Sequence, residues 1–308
     1  MALTPFIKKM KKNNCLLIFI LLVYSLAASA QDSLMALLQS GVSGANEKII
    51  ATFKSTKIIS AQTNETTKKR NLDFRVGHLF GNMGTKAGGG GSHTLYGLDQ
   101  STDIRISFDY GITERLMVSF GRNKRQENLS GAVKFRLLEQ TTNNKIPLAI
   151  TFYGSSAFSP KADPEEIYTP SERRMSYCAQ LIIARNFSRS FSFEIIPSFV
   201  HRNLIDLRVN PTDKNDLLSL GFGGRMKLTR SFGIIADYFH NFRDESTGIK
   251  MYAPLSLGVE IETGGHVFSI MFTNASGLLE NDFIPNTSDS WGDGGSKFSF
   301  NISRVFKL

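Results

Sequence analysis

The stretch T-D-I-R-I-S-F-D-Y-G-I-T-E-R-L-M-V-S-F-G, residues 102–121, decides the fold. In its first half, isoleucine and aromatic side chains alternate with aspartate, arginine and serine. Alternation with a period of two is typical of a β-strand with one apolar and one polar face. A short turn at Gly111–Glu114 then returns the chain through Leu116, Val118 and Phe120. The stretch therefore predicts a β-hairpin.

The same alternation recurs from Leu72 to the last residue and predicts about twelve strands, most of them long enough to cross a bilayer when tilted. The short turns are Gly111–Glu114, Asn186–Ser190, Thr229–Ser231 and Glu262–Gly265, with longer loops at 81–101, 159–172, 203–216, 243–251 and 275–296. Short and long links alternate along the chain, except for two links of intermediate length at 122–128 and 139–145. Short turns on one rim and long loops on the other are typical of outer-membrane barrels. The prediction is an all-β, antiparallel, transmembrane up-and-down β-barrel with short periplasmic turns and longer extracellular loops. A soluble β-sandwich is the alternative, but its strands are usually shorter.

The N-terminus predicts export. Four lysines at positions 8–12 precede an apolar run that ends in Ala28-Ser29-Ala30, the pattern of a cleavable secretory signal. We therefore expect residues 1–30 to be a signal peptide and residues 71–308 to form a barrel in the outer membrane of a Gram-negative bacterium. Residues 31–70 are interpreted as a periplasmic extension, a plug or an extra strand, and as the surface for a periplasmic partner.

Composition excludes several classes of function. The 36 basic and 27 acidic residues are dispersed, and four of the lysines belong to the signal, so nothing indicates nucleic-acid binding. One cysteine, Cys178, is left after cleavage, so no disulfide within the mature chain is expected. The five histidines show no metal-ligand spacing. We predict no metal site and no cofactor.

Charged residues in the polar phase of the strands are the candidate functional residues. A charge facing lipid near the bilayer midplane costs about 2–4 kcal/mol, so these side chains are expected to face the lumen. They define either a polar pathway or an ion-pair network that fills the barrel. The candidates are Asp103, Arg105, Asp109, Lys134, Arg136, Glu194, Arg225, Lys227, Asp237 and Glu260.

No catalytic residue is predicted. Ser and His residues occur near the predicted rims at His201, His240, Ser246 and Ser276, but no nucleophile-elbow motif accompanies them. The segment Asp282–Gly295 lacks the spacing of a calcium loop and is interpreted as a surface loop with Trp291 packed beneath it. A lipid-modifying enzyme at the rim therefore ranks below a binding or transport function.

Several motifs resemble one known family. They include F-R-V-G-H-L-F-G (74–81), Y-G-L-D-Q-S-T-D-I-R (96–105), E-T-G-G-H-V-F-S-I-M-F-T-N (262–274) and F-N-I-S-R-V-F (300–306). Together they are similar to a Bacteroidetes family of outer-membrane β-barrels known only as a domain of unknown function. The resemblance implies the barrel and the outer membrane, and brings no substrate or site residue.

The function predicted is permeation of small solutes through a narrow charged lumen. A non-conducting barrel for structure or partner docking is the alternative. The partners expected are outer-membrane lipid and the barrel-assembly machinery, since the last strand resembles the terminal recognition signal of outer-membrane proteins, although it ends in Leu308 and not in phenylalanine.

Overall fold

The computed structural model describes residues 48–49, 51–84, 90–205, 207, 210–244 and 248–308. The predicted signal peptide, residues 31–47, part of the glycine-rich run at 88–91 and Ser246 lie outside these ranges. No helix within the described ranges is long and apolar enough to cross a membrane.

Twelve antiparallel strands, each paired with its neighbours in sequence, form a closed barrel in which β1 pairs with β12. This confirms the predicted up-and-down fold. The strands are β1 Asn71–Asn82, β2 Ser101–Gly111, β3 Leu116–Asn123, β4 Leu129–Leu138, β5 Ala149–Phe158, β6 Met175–Asn186, β7 Phe191–Arg202, β8 Asp216–Lys227, β9 Phe232–Phe242, β10 Leu255–Thr263, β11 His266–Thr273 and β12 Lys297–Lys307.

Connection length separates the two rims of the barrel, except for the longer link 139–148 on the short-turn rim and the shorter link 124–128 on the long-loop rim. The short-turn rim carries the links 112–115, 139–148, 187–190, 228–231 and 264–265, together with the start of β1 and the end of β12. The long-loop rim carries 83–100, 124–128, 159–174, 203–215, 243–254 and 274–296. Short 3-10 helices lie in four of these loops, at Ser92–Gly97, Arg125–Glu127, Ser171–Arg174 and Trp291–Asp293, and one α-helix, α1, spans Glu280–Asn286.

The period of two sorts the side chains between the faces of the barrel wall. The apolar phase of the hairpin that decides the fold points outward: Ile106 is 45% exposed and Phe120 is 57% exposed. The opposite phase, with Asp103 and Asp109, is buried. An outward apolar band over a polar interior is the arrangement expected of a barrel in lipid.

Two inward segments occupy the interior. Residues 51–67, here called the lumenal hairpin, lie just before β1 and contact the inner face of the wall. Residues 274–296, here called the inward loop, connect β11 to β12 and carry α1, whose residues Glu280 to Pro285 are all buried. The prediction of a surface loop at 282–295 is therefore wrong for its first part, because α1 packs on the inner face of the barrel. Trp291 itself is half-buried and donates from Nε1 to the carbonyl oxygen of Leu255 at 3.1 Å.

Candidate functional site in the barrel lumen

The lumenal hairpin is a tight two-armed turn. Ile58 N–H donates to the carbonyl oxygen of Ala61 at 3.0 Å, and Thr63 N–H donates to that of Thr56 at 3.0 Å. Glu65 joins the two arms, since its Oε1 accepts from the backbone N–H of Thr52 at 2.7 Å. The hairpin thus pairs part of its own backbone and leaves other carbonyl and amide groups to the wall.

Lys134 on β4 clamps both arms of the hairpin. Its ammonium group donates to the carbonyl oxygens of Thr56, Thr63 and Glu65 at 2.8, 3.0 and 3.2 Å, and the side chain has no exposed surface. A buried charge costs less when its hydrogen-bonding capacity is filled. The three carbonyl oxygens match the three donors of the ammonium group, so Lys134 holds the hairpin by its backbone.

Three more charged side chains of the wall hold the tip and the arms of the hairpin. Oδ2 of Asp237 on β9 accepts from the N–H groups of Ser60 and Ala61 at 2.7 and 2.9 Å. Oδ2 of Asp109 on β2 accepts from Thr56 Oγ1 at 2.9 Å. Arg136 on β4 pairs with Glu65 at 3.0 Å. Asp237 thus binds backbone amides of the tip, whereas Asp109 and Arg136 bind side chains of the arms.

Neutral groups complete the contact around the circumference. Thr151 on β5 and Ser192 on β7 donate to the carbonyl oxygens of Asn64 and Thr52 at 3.1 and 2.7 Å. Asn301 on β12 donates to that of Ile59 at 3.3 Å. Since strands on opposite sides of the barrel contact the same short segment, the hairpin lies across the lumen.

The two inward segments meet at an ion pair. Nζ of Lys57 in the hairpin lies 2.6 Å from Oε1 of Glu280 on α1. Gln62 Nε2 donates to the same oxygen at 2.9 Å, and Tyr153 Oη on β5 donates to Oε2 at 3.3 Å. The Glu280 side chain has no exposed surface. Because one partner comes from each segment, this pair couples the hairpin to the inward loop.

The remaining candidates lie on the same inner face with other partners. Asp103 accepts from the N–H groups of Leu278 and Arg125, each at 2.9 Å, and so holds the inward loop. Arg225 pairs with Glu260 at 2.8 Å. The other three are placed as follows: Arg105 donates to Asn123 and Ser130, Glu194 is fully buried near Ile58, and Lys227 is half-buried at the short-turn end of β8.

Some interior residues were not among the sequence candidates. Arg75 on β1 donates to Ser55 and Thr56 at 2.5 and 3.0 Å and pairs with Asp73 at 3.3 Å. The alternation of Asp73 and Arg75 with Leu72, Phe74 and Val76 was a sufficient signal for them. No such signal exists for Lys57 or Glu280, because neither belongs to an alternating strand.

Comparison with known proteins identifies a family. A family model described as "Membrane bound beta barrel domain (DUF5777)" matches residues 53–306. No curated protein matches the chain. Among solved structures, a NanC porin has 11% identity and a TM-score of 0.47, covering 77% of this chain and 100% of its own. An outer membrane channel from Pseudomonas putida F1 has 10% identity and a TM-score of 0.47, covering 79% of this chain and 98% of its own. LpxR from Salmonella typhimurium has 11% identity and a TM-score of 0.39, covering 77% and 100%.

Proposed function

Because this chain belongs to the DUF5777 family of membrane-bound β-barrel domains, we propose that it is an outer-membrane permeation barrel gated from within. In this proposal the lumenal hairpin closes the lumen, and small solutes pass when the hairpin leaves the wall. One observation carries the proposal: two charged side chains of the wall, Lys134 and Asp237, bind the hairpin through its backbone.

Energetics supports a movable hairpin. A barrel that only had to be stable would be at least as stable with an apolar interior. The reason is that the attraction between the charges of a buried ion pair rarely exceeds the cost of desolvating them. Wall groups such as Lys134, Asp109 and Asp237 instead present charges that water can solvate once the hairpin is gone. Their contacts with the hairpin can be exchanged for contacts with water at a small net cost per hydrogen bond. A charged lumen would then line an aqueous path.

The outer membrane is the compartment that we propose. The basic and apolar pattern of residues 1–30 favours export, and the apolar outer face of the strands favours insertion in lipid. We further propose that the C-terminal strand β12 is recognised by the barrel-assembly machinery. We also propose that residues 31–47, which precede the hairpin in the sequence, are part of the segment that a periplasmic partner would bind.

A non-conducting docking barrel is the second candidate. The observation that favours it is the filled lumen, since both the hairpin and α1 occupy the interior. In that case residues 31–70 serve only to hold a periplasmic partner, and the buried charges form a permanent network. Conductance separates the two candidates.

The test is single-channel recording in planar bilayers. We would compare the mature chain, residues 31–308, with a variant that lacks residues 31–67. Permeation predicts rare, brief openings for the mature chain and steady conductance for the truncated one, because the truncated lumen keeps its charged lining without the hairpin. Silence in both proteins, with both shown to be folded by heat-modifiable gel migration, would favour the docking barrel.

A further inference from the structure

We propose that a cavity at the long-loop rim binds small solutes that carry a carboxylate, and that this is the class of solute admitted to the lumen. This inference rests on the permeation function proposed above. The cavity, here called the arginine vestibule, is lined by arginines from two loops and from the end of β7, and residues of α1 also line it. These arginines are Arg125, Arg173, Arg174 and Arg202.

The arginine vestibule has the size of a small-molecule site. Its volume is about 570 Å³, within the range of about 300–1,000 Å³ that is typical of ligand pockets. The α1 residues that line it are Asn281, Asp282 and Asn286. Because the inward loop contributes to both the vestibule and the Lys57–Glu280 pair, a solute held here lies on the outer side of the barrier.

The pairing of the four guanidinium groups shows which of them remain available. Arg202 is neutralised by Asp213, with two nitrogen–oxygen distances of 3.0 Å. Arg174 donates to the carbonyl oxygens of Ser159 and Lys161 at 3.0 and 2.7 Å and lies 3.7 Å from Asp163. Both are therefore structural, and they fix the shape of the wall.

Arg125 and Arg173 keep donors for a ligand. Arg125 lines the cavity, and its guanidinium group makes no hydrogen bond or ion pair within the part of the chain that the structure describes. Arg173 is exposed and, among the described residues, its side chain makes a single hydrogen bond, to the carbonyl oxygen of Ile167 at 3.3 Å. A planar guanidinium with free donors binds carboxylates in a two-bond geometry, which a single ammonium cannot reproduce.

The acidic residues of the arginine vestibule do not cancel the positive charge of Arg125 and Arg173. Asp213 is already paired with Arg202. Burial raises the pKa of Asp282 to about 7, with Arg125 acting in the opposite direction and Asp103 adding to the rise. Asp282 is therefore partly protonated at neutral pH, and the vestibule keeps a positive balance from Arg125 and Arg173.

The rest of the lining suits the body of a polyhydroxylated solute. Tyr168 presents an aromatic ring, with the Arg174 guanidinium 5.0 Å from its centroid. Ile167 and Leu204 give further apolar surface, while Asn128 and Asn281 supply hydrogen-bonding groups. Apolar walls with a few convergent polar groups are typical of ligand sites. Glucuronate, which has a carboxylate and a sugar ring, is a suitable probe, and glucose is its neutral match.

The test is isothermal titration calorimetry of the mature chain in detergent with glucuronate and with glucose. We expect saturable heat with glucuronate and none with glucose. Arg125→Gln and Arg173→Gln should each weaken the association about tenfold, the effect of losing one charge-assisted hydrogen bond. Arg189→Gln, in the 187–190 turn at the opposite rim, should bind as the parent does.

Three results would overturn the inference: no saturable heat with glucuronate, equal heat with glucose, or full affinity in both vestibule variants. Heat-modifiable migration on gels shows whether each variant is folded. The outcome is independent of conductance. Binding in a protein that never conducts would uphold the vestibule and refute permeation, and conductance without binding would refute the vestibule alone.

Discussion

The lumenal hairpin and the inward loop fill the same barrel but are held by different kinds of contact. The hairpin is held chiefly by charged groups of the wall, among them Lys134, Arg136 and Asp237. Its apolar residues Phe53 and Ile58 pack in a small cluster beside Ala149 and Ile235. It joins the barrel directly at β1, through residues 68–70.

The inward loop, in contrast, rests on an apolar surface. Phe283 and Ile284 of α1 belong to the largest buried cluster, which is built by inward residues of β5 to β9, and Phe283 meets Phe239 edge-on at 5.2 Å. Polar contacts add to this support: Ser155 donates to Asn281 at 3.2 Å, Asp103 accepts from the N–H of Leu278 at 2.9 Å, and Glu280 pairs with Lys57 at 2.6 Å. The loop joins the barrel at both of its ends, β11 and β12.

The difference in contacts indicates which of the two segments is suited to move. Releasing the hairpin exposes mainly charged and polar wall groups, which water solvates well. Releasing α1 would expose an apolar surface, at about 25 cal/mol for each Å². In the proposed function, the hairpin is therefore the movable barrier, and the inward loop is a fixed part of the lumen.

The largest expected effect follows from Lys134→Met, which removes the clamp on both arms of the hairpin. The carbonyl oxygens of Thr56, Thr63 and Glu65 lose a charged donor, so the hairpin's bound state should weaken by roughly 3–5 kcal/mol. Open probability in planar bilayers should rise more than a hundredfold. Lys227→Met, at the short-turn end of β8, is the matched control and should gate as the parent does. Parental gating in Lys134→Met would show that the clamp is not what closes the lumen.

A somewhat smaller effect, on stability and not on gating, is expected from Phe283→Ala. Truncating a buried phenylalanine leaves a cavity and costs about 3 kcal/mol of stability. The midpoint of thermal unfolding in detergent should fall, while open probability stays near that of the parent, because the hairpin contacts are intact. A variant that opens freely without losing thermal stability would reverse the roles of the two segments.

The smallest expected effect is a pH dependence of glucuronate binding through Asp282. Its pKa of about 7, raised by burial, means that the carboxyl is mostly neutral at pH 6 and mostly charged at pH 8. Its charged neighbours are Arg125, Asp103 and Arg105, and ionisation of Asp282 reduces the positive balance that Arg125 offers to an anion. The affinity measured by calorimetry should therefore fall severalfold from pH 6 to pH 8. Asp282→Asn should remove this dependence, and an equal dependence in that variant would assign it to another group.

The sequence predicted the wall of the barrel well because alternation with a period of two is a local signal. Twelve strands form the closed barrel, and the resemblance to a family of membrane barrels is confirmed by the match over residues 53–306. The origin in Bacteroidetes stays a prediction. The inward-facing residues of β6 and β7 were harder to identify from the sequence, because these strands carry apolar residues on both faces. Ile182, Ile196 and Val200 face inward, and they have sequence neighbours on the outer face that are also apolar.

The contents of the lumen could not be predicted in this way. Residues 51–67 are short, alternate imperfectly and take their position from the wall, so their contacts depend on residues far away in sequence such as Asp237 and Asn301. Helix α1 has seven residues and contains Pro285, so a helical period gives no signal. Its place inside the barrel follows from the apolar surface of β5 to β9, which exists only once the barrel has closed.

The central claim is that the hairpin moves and the inward loop does not. It is tested most directly by reversible cross-linking in a Cys178→Ala background. Thr56→Cys with Asp109→Cys joins the hairpin to β2, where the native side-chain oxygens lie 2.9 Å apart. Ser155→Cys with Asn281→Cys joins the inward loop to β5, where they lie 3.2 Å apart.

The measurement is single-channel conductance of each protein before and after reduction, with disulfide formation checked by mass spectrometry. We expect the oxidised hairpin cross-link to abolish openings and reduction to restore them. The inward-loop cross-link should conduct alike in both redox states. Openings that persist in the oxidised hairpin cross-link, or that vanish only when the inward loop is joined to β5, would contradict the account.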